Sequence, residues 1–349
     1  WMPALAHAAT IYANSSTGND TTGDGSEGAP YKTFHAAYTA AESGDTIDLT
    51  GTFTWTDADE TGDTIHEGYT LAKDITIEGQ SAADTIVQAA ATANTADRRV
   101  FRVNLGSSVT FRNLTIRHGN VGTRDGGGIA VYGTALIDAC DISYNRAFGD
   151  SGGGVEARGQ VTVQNSVVHH NTAHYKGGGL NRSYYSGSNG APGASDTLDV
   201  INSTIAYNTV TQTVAYLQGG GVYYRRGSGS ITNSTIAYNQ VVNGASTHGV
   251  GTGEINSVVH LKNNIIASNI LGASGGDIGH RSSNNGVYVD NGGNVIGRCG
   301  FGCVLTPSST TWVDAPYGTA VDGTFVLQDG SSTSGTLNLS SSLALGVTD

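Results

Sequence analysis

One pattern recurs six times along the chain and restricts the fold more than any other feature. Its β-branched residue is Ile116, Ile142, Val168, Ile205, Ile236 or Ile266. Three positions later stands an asparagine in the last five copies (Asn145, Asn171, Asn208, Asn239 and Asn269) and Gly119 in the first. Successive asparagines are 26, 37, 31 and 30 residues apart. Periods of this length are typical of solenoid proteins, in which each repeat adds one supersecondary unit.

Glycine clusters, each opening a further short β run, follow the copies of this pattern. The runs cover residues 126–133, 152–159, 177–184 and 219–226, with a weaker version at 275–280. One strand pair cannot bury its apolar face alone, whereas copies stacked at about 4.8 Å bury a continuous column of Ile and Val. No period contains an amphipathic segment of helix length. We therefore expect an all-β fold, a single-stranded right-handed parallel β-helix whose hand follows the preference of β crossovers.

The aligned asparagines are predicted to form a ladder at a tight turn, where each side-chain amide bonds the next one along the solenoid. His169 and His170 follow Val168 in the third copy. One of them is expected to point outward and the other to extend a column of aromatic residues at Tyr144, Tyr207 and Tyr238. These assignments give both the asparagines and the histidines structural roles.

The two ends of the chain depart from the repeat. Residues 31–51 combine a helix-like stretch with a strand, which predicts an N-terminal capping helix over the open end of the solenoid. We expect residues 1–8 to be the remnant of a signal peptide, 9–100 the cap and first coils, and 101–303 the regular coils. Residues 304–349 lose the period and are expected to form an irregular last coil.

Composition and the first residues point to an exported protein. Charged residues make up 13% of the chain and the net charge is −12, which disfavours nucleic acid as a partner. The motif "ALAHA" resembles the end of a secretory signal, so we expect a secreted or cell-surface protein. No run of about 20 apolar residues is present, so no transmembrane segment is expected. We expect a monomer.

The cysteines and acidic residues suggest two smaller sites. Cys299 and Cys303 are separated by three residues, and in an exported protein we expect them to form a local disulfide, with Cys140 buried and free. The acidic composition permits bound calcium, for which Asp277 and Asp290 are candidate ligands. A plain turn in the final coil is the simpler account of those two residues.

Parts of the sequence resemble known bacterial families. The glycine-cluster strand followed by "ST-I-x-x-N" resembles the repeats of the polymorphic outer-membrane-protein type. Residues 263–297 resemble the closing motif of choice-of-anchor Q domain proteins. The opening residues resemble the N-terminal cap shared by secreted β-helix carbohydrate enzymes and adhesins. The resemblance covers roughly residues 9–297. It implies a β-helix and export, and fold alone does not assign an activity.

A candidate site follows from the alternation of side chains in the strands after the glycine clusters. Apolar positions point inward, so Glu156, Arg158, Asn181, Tyr223 and Arg225 are predicted to share one outer stripe. The preceding turns contribute further polar side chains, and the long insertions 183–197 and 210–218 border them. The turn residues are Arg124, Asp125, Asp150, His174, Tyr175 and Lys176. Long loops on one face of a repeat protein often build its binding surface.

The residue types in this stripe favour an anionic polysaccharide, because tyrosines stack on sugars and arginines bind carboxylates. A polysaccharide lyase needs a base, a neutraliser of the uronate carboxylate and an acid. We assign Lys176 or His174 as the base, Arg158 or Arg225 as the neutraliser, and Tyr175 or Tyr223 as the acid. The remaining candidates for substrate binding are Glu156, Asn181, Arg182, Tyr184, Tyr185 and Arg226.

Two other functions remain open at this point. A non-catalytic adhesin or glycan-binding module would use the same tyrosines without cutting a chain. A glycoside hydrolase would need paired carboxylates, which Glu156, Asp150 and Asp125 offer less clearly. The alternative to a functional site is that these residues are ordinary surface residues. Lys176 would then be a solvated turn residue, and Glu156 would form an exposed ion pair with Arg158 that contributes little to stability.

Overall fold

The computed structural model describes residues 8–183, 196–211, 218–242, 247–253, 257–269, 276–280, 287–297, 305–306 and 311–312. These residues form stacked coils in which nearly all strand pairs are parallel, and each strand bonds the equivalent strand of the coils before and after it. The predicted all-β parallel β-helix is therefore confirmed.

The coils contain three long sheets and one short sheet. Sheet 1 consists of Thr10–Asn14, Thr46–Thr54, Ile75–Gly79, Ser108–Arg112, Thr134–Asp138, Gln160–Gln164, Thr197–Ile201, Ser228–Thr232, Val258–Lys262, Val287–Asp290 and Leu305–Thr306. Sheet 2 shares Thr46–Thr54 and continues with Thr85–Gln88, Thr115–Arg117, Asp141–Ser143, Val167–His169, Thr204–Ala206, Thr235–Ala237, Ile265–Ala267, Val295–Ile296 and Thr311–Trp312.

The remaining strands form the third side and a corner. Sheet 3 consists of Asp63–Thr64, Gly68–Leu71, Phe101–Val103, Ile129–Val131, Val155–Ala157, Leu180–Arg182, Gln218–Tyr224, Thr247–Thr252 and Gly276–His280. Sheet 4 consists of the two-residue strands Asn120–Val121, Arg146–Ala147, Thr172–Ala173, Thr209–Val210 and Gln240–Val241.

The register of sheet 2 follows the repeat read from the sequence. Ile142 pairs with Ile116 and with Val168, and Ile205 pairs with Val168 and with Ile236. All of these side chains are fully buried. The column of β-branched residues therefore forms part of a core that runs the length of the solenoid, as expected.

The predicted asparagine ladder is confirmed. Asn145 Nδ2 donates to Asn171 Oδ1 at 3.0 Å, and Asn171 Nδ2 donates to Asn208 Oδ1 at 3.0 Å. The same bond continues to Asn239 and Asn269, each at 2.9 Å. Each Oδ1 also accepts the backbone N–H of the asparagine one coil earlier. The ladder satisfies backbone groups that the turn would otherwise bury without partners.

The aromatic column is also confirmed, and His170 is the histidine that joins it. Its ring stacks on Tyr144 at 5.0 Å and on Tyr207 at 5.3 Å, and Tyr207 stacks on Tyr238 at 5.2 Å. His169 is 8% exposed, and its Nε2 lies 3.1 Å from Asp141 Oδ2.

The predicted capping helix runs from Phe34 to Ala40. Thr33 Oγ1 accepts the N–H of Ala36, and the Glu60 carboxylate accepts the N–H of Phe34 at 2.8 Å. Phe34 packs edge-on against the Tyr69 ring, so the helix covers the apolar end of the core. Burial of the Glu60 carboxyl raises its pKa to about 7.

Of the three cysteines, Cys140 lies among the described residues. Cys140 is free and buried, as predicted, and burial raises the pKa of its thiol to about 12. Cys299 and Cys303 lie outside the described residues, so their disulfide stays a prediction. Residues 1–7 of the predicted signal-peptide remnant at 1–8 also lie outside them, so the remnant stays a prediction.

Candidate functional site

The predicted alignment on sheet 3 is present. Glu156 pairs with Ala130 in one direction and with Asn181 in the other, and Asn181 pairs with Tyr223. Their side chains therefore form one column across successive coils. The expectation that this column is exposed is wrong, because Glu156 is 1% exposed, Asn181 2% and Tyr223 1%.

The first glycine of three of the clusters explains why Glu156 and Asn181 in this column are buried. Gly126, Gly152 and Gly177 have φ values of +63°, +69° and +59°, in the left-handed region that glycine tolerates best. A Cβ on Gly152 would lie 2.8 Å from Glu156 Oε2, and one on Gly177 would lie 2.7 Å from Asn181 Cβ. The turns thus fold over the column, and only the missing side chains make room for it.

Glu156 is held by two neighbours from the next coil. Asn181 Nδ2 donates to its Oε2 at 2.7 Å, and Ser183 Oγ donates to its Oε1. Burial raises the pKa of Glu156 to about 7, and the nearby Asp150 carboxyl adds to the increase, while Ser183 and Asn181 oppose it. Glu156 can therefore exchange a proton near neutral pH.

Arg158 belongs to a chain of ion pairs on the outer side of sheet 3. Its guanidinium pairs with the buried Asp125, and its Nε lies 3.6 Å from Glu156 Oε1. It also lies 5.3 Å from the centroid of the Tyr132 ring. Because Asp125 already offsets its charge, Arg158 is a weaker neutraliser of a substrate carboxylate than the sequence indicated.

Sequence reasoning missed the arginine cluster next to this chain. Glu67 accepts bonds from Arg99 at 2.8 Å, from Arg102 at 3.0 Å and from Arg124 at 2.9 Å. Burial acts to raise the pKa of Glu67, but the three guanidinium groups outweigh it and the pKa is lowered. Arg102 pairs in register with Ala130, so extending the repeat alignment back to Phe101–Val103 would have located it.

Tyr223 occupies a notch made by glycines of the following coil. A Cβ on Gly253 would lie only 1.4 Å from Tyr223 Oη, and one on Gly251 would lie 2.9 Å from Tyr223 Cδ2. Lys176 Nζ lies 5.3 Å from the centroid of the Tyr223 ring, which is cation–π geometry. The motif "GVGTG" at 249–253 is the sequence signal for this notch.

Lys176 and Arg225 both act electrostatically on Asp150. Burial raises the pKa of Asp150, and the hydrogen bonds of Ser151 and the positive charges of Arg225 and Lys176 oppose that increase. Asp150, Lys176 and Arg225 are all half-buried, so each reaches the surface. Residues from three different coils therefore act on one another here: Lys176 lies over the Tyr223 ring, and the charges of Lys176 and Arg225 act on Asp150.

The other sequence candidates are placed as follows. Tyr175 is 38% exposed, and its ring lies 4.6 Å from that of His174, whose Nδ1 is 3.4 Å from Thr211 Oγ1. Arg226 is half-buried. Tyr184 and Tyr185 lie outside the described residues.

Arg182 was predicted to bind substrate, but it does not lie on the outer surface of sheet 3. It pairs with Ala157 and Tyr224 in an inward-facing column and is fully buried. Its guanidinium donates to the carbonyl oxygens of Ala157 at 3.2 Å and Asp196 at 3.1 Å. Leu180 and Arg182 share one face of the strand, so the alternation that places Asn181 outward places Arg182 inward.

The two calcium candidates both cap ladders. Asp277 Oδ1 accepts a hydrogen bond from Asn269 Nδ2 at 2.8 Å, and Asp290 Oδ1 accepts one from Asn294 Nδ2 at 2.7 Å. Asp277 lies on sheet 3 and Asp290 on sheet 1. Within the described ranges, no group of three or more His, Cys, Asp or Glu side chains could hold a metal ion.

Comparison with known proteins yields distant structural likenesses only. No family model and no curated protein matches the chain, so neither family resemblance drawn from the repeats is supported by a match. The crystal structure of pectate lyase Pel9A matches 89% of this chain and 82% of its own, at 16% identity and a TM-score of 0.45. The GH136 lacto-N-biosidase from Eubacterium ramulus matches 84% of this chain and 68% of its own, at 11% identity and a TM-score of 0.27. Across the described residues, no helix is long and apolar enough to cross a membrane.

Proposed function

We propose that the protein is an exported enzyme that binds an acidic polysaccharide along the outer side of sheet 3 and cleaves it by β-elimination. The observation that carries the proposal is the position of Lys176, whose Nζ lies 5.3 Å from the Tyr223 ring centroid and whose charge, like that of Arg225, acts on Asp150. In a chain with a net charge of −12, a cation over an aromatic ring with a second cation acting on the same carboxyl favours an anionic sugar.

Arg225 is the preferred neutraliser of the substrate carboxylate. The residues that follow the sheet 3 strands continue the register, because Arg225 N donates to Arg182 O and Arg158 N donates to Val131 O. Arg225 and Arg158 thus project from one column, two coils or about 10 Å apart. Arg158 is paired with the buried Asp125, so in the proposal it orients the polymer while Arg225 contacts the reacting uronate.

The proposed β-elimination needs a base that takes one proton and an acid that gives one to the leaving oxygen. The neutral amine of Lys176 takes the proton from the carbon next to the uronate carboxylate, and that electron pair forms a carbon–carbon double bond. The bond to the glycosidic oxygen breaks, and the leaving oxygen takes a proton from Tyr175. We choose Tyr175 over Tyr223 as the acid because Tyr175 is exposed and the Tyr223 ring is buried in its glycine notch. His174 is the alternative base.

The test is incubation with a panel of uronate polysaccharides while the ultraviolet absorbance of the unsaturated product is followed. Lys176→Ala should abolish product formation and leave the melting temperature nearly unchanged, because a half-buried turn residue stabilises little of the core. Lys262→Ala, which alters an exposed lysine on sheet 1, is the matched control and should retain full activity. Arg225→Ala should weaken both binding and rate.

Hydrolysis is the second candidate, favoured by one observation. Burial raises the pKa of the half-buried Asp150, whose charge in turn raises the pKa of the buried Glu156, so Asp150 is placed as an acid that a substrate can reach, with Glu156 as the neighbouring carboxyl. New reducing ends without an absorbance increase, lost in Asp150→Asn, would establish this candidate and refute elimination. Binding without any cleavage would leave an adhesive module and refute both enzymatic functions.

A further inference from the structure

The aromatic column lies at a turn where its residues are conformationally unusual. Tyr144, His170, Tyr207 and Tyr238 have φ values of 53°, 52°, 54° and 56°, all in the left-handed region. Bulky residues are rare there, and such a conformation costs on the order of 1–3 kcal/mol. The turn between sheets 1 and 2 has the same conformation and uses the residue type that tolerates it, with Asn165, Asn202, Asn233 and Asn263 at φ values of 47° to 55°.

Stacking offsets part of this cost but does not explain the position of the rings. Aromatic pairs contribute about 0.5–1.5 kcal/mol beyond the area that they bury. The rings nevertheless stand at the surface: Tyr144 is 45% exposed, and the other three residues are half-buried. Strained aromatic residues that remain accessible to solvent are more typical of a recognition surface than of a scaffold turn.

A groove runs beside these rings. Tyr144, His170 and Tyr207 line a cavity of about 260 Å³ together with Thr172 and Thr209. The groove crosses three coils, or about 10 Å along the axis, and the segment with Ala93 and Asn94 borders it. Its volume lies just below the roughly 300–1,000 Å³ of pockets that hold drug-sized ligands, which suits about two sugar rings.

Arg146 gives the groove a positive charge. It lines the cavity, and its guanidinium carbon lies 4.2 Å from the centroid of the Phe148 ring, which fixes its orientation. No carboxylate is among the residues that line the cavity. In the part of the chain that the structure describes, Arg146 takes part in no salt bridge, although the chain carries 29 acidic residues.

We propose that this groove is a second carbohydrate-binding site, which takes a segment of about two sugar rings that carries a carboxylate on Arg146. The tyrosine rings and threonine hydroxyl groups contact the sugar along the solenoid axis, and the guanidinium binds the carboxylate. The site is separate from the outer side of sheet 3, and binding here requires no catalysis there.

The experiment is a calorimetric titration with a galacturonic acid trimer and with the same trimer reduced to neutral galactose units. The protein carries Lys176→Gln and Arg225→Gln, so that binding at the sheet 3 surface is weakened in every sample. Arg146→Gln and Tyr144→Asn are introduced separately, because asparagine keeps the left-handed turn accessible. Tyr238→Asn is the matched control, since Tyr238 is in the same stack at the same φ but does not line the cavity.

We expect Arg146→Gln and Tyr144→Asn each to weaken binding of the acidic trimer at least tenfold, and Tyr238→Asn to leave it within twofold. The neutral trimer should bind more weakly to the parent protein and be insensitive to Arg146→Gln. Equal affinity of parent and Arg146→Gln for the acidic trimer would overturn the site, and so would equal losses from Tyr144→Asn and Tyr238→Asn. If Tyr144→Asn does not fold, Arg146→Gln still decides, because no salt bridge among the described residues is lost with it. Elimination activity at sheet 3 is measured separately, so either proposal can fail alone.

Discussion

Replacing Glu156 by glutamine should make the protein more stable at neutral pH and change nothing at low pH. Glu156 is 1% exposed, and burial raises its pKa from 4.5 to about 7. In the native state the carboxyl therefore keeps its proton up to about pH 7, whereas in the unfolded chain it loses the proton near pH 4.5. The native state binds more protons in this window, so stability falls as the pH rises through it.

The size of the effect follows from the two pKa values. Each pKa unit corresponds to a tenfold change in the equilibrium constant, so a native value of about 7 against 4.5 unfolded amounts to about 3 kcal/mol at and above pH 7. Glutamine has the shape of the protonated carboxyl, and its amide can keep the hydrogen bonds to Asn181 and Ser183. The cost of ionisation is removed while the packing is retained.

The assay is denaturant unfolding at a series of pH values from 4 to 8 for the parent protein, Glu156→Gln and the exposed control Glu27→Gln. The curves of parent and Glu156→Gln should coincide near pH 4 and separate by up to about 3 kcal/mol by pH 8. Glu27→Gln should follow the parent throughout. Parallel curves for parent and Glu156→Gln would show that this carboxyl ionises normally, and would refute the raised pKa on which this prediction depends.

Three further predictions concern the ladder, the tyrosine notch and the cysteines. Asn208→Ala should destabilise the protein by about 3–5 kcal/mol, because its side chain makes five hydrogen bonds at roughly 1 kcal/mol each. The control Asn202→Gly, at an exposed turn of the same coil, should cost less than about 1 kcal/mol, and equal losses of the two variants in denaturant unfolding would contradict the prediction. Gly253→Ala should expel the Tyr223 ring from its notch and abolish cleavage in the absorbance assay. Gly28→Ala is the control and should leave activity unchanged, because a Cβ there meets nothing within 4 Å. An active Gly253→Ala enzyme would show that the notch is dispensable. A thiol count on the unfolded, unreduced protein should give one, with Cys140 unreactive until unfolding because its pKa is about 12; a count of three would exclude the disulfide between Cys299 and Cys303.

The solenoid can be predicted from the order of residues alone, because each coil repeats the same local pattern. The step from Ile142 to Asn145 recurs with the same spacing in every later copy, so stacking one coil fixes the register of all the others. The alternation in the sheet 3 strands also placed Glu156, Asn181 and Tyr223 in one column. These features depend on the order of residues within a coil, which is visible without coordinates.

Which of those aligned side chains reach the surface depends on contacts between coils that no pattern within one coil contains. Alternation tells which side of a strand a residue faces, but Gly152 and Gly177 fold their turns over Glu156 and Asn181, and the notch at Gly253 buries Tyr223. The alternation and the bordering turns placed Lys176, Arg225 and Asp150 on the same side of the solenoid, but the structure was needed to show that both cations act on the Asp150 carboxyl. Burial and charge pairing depend on contacts between coils, and the pattern within one coil does not encode them.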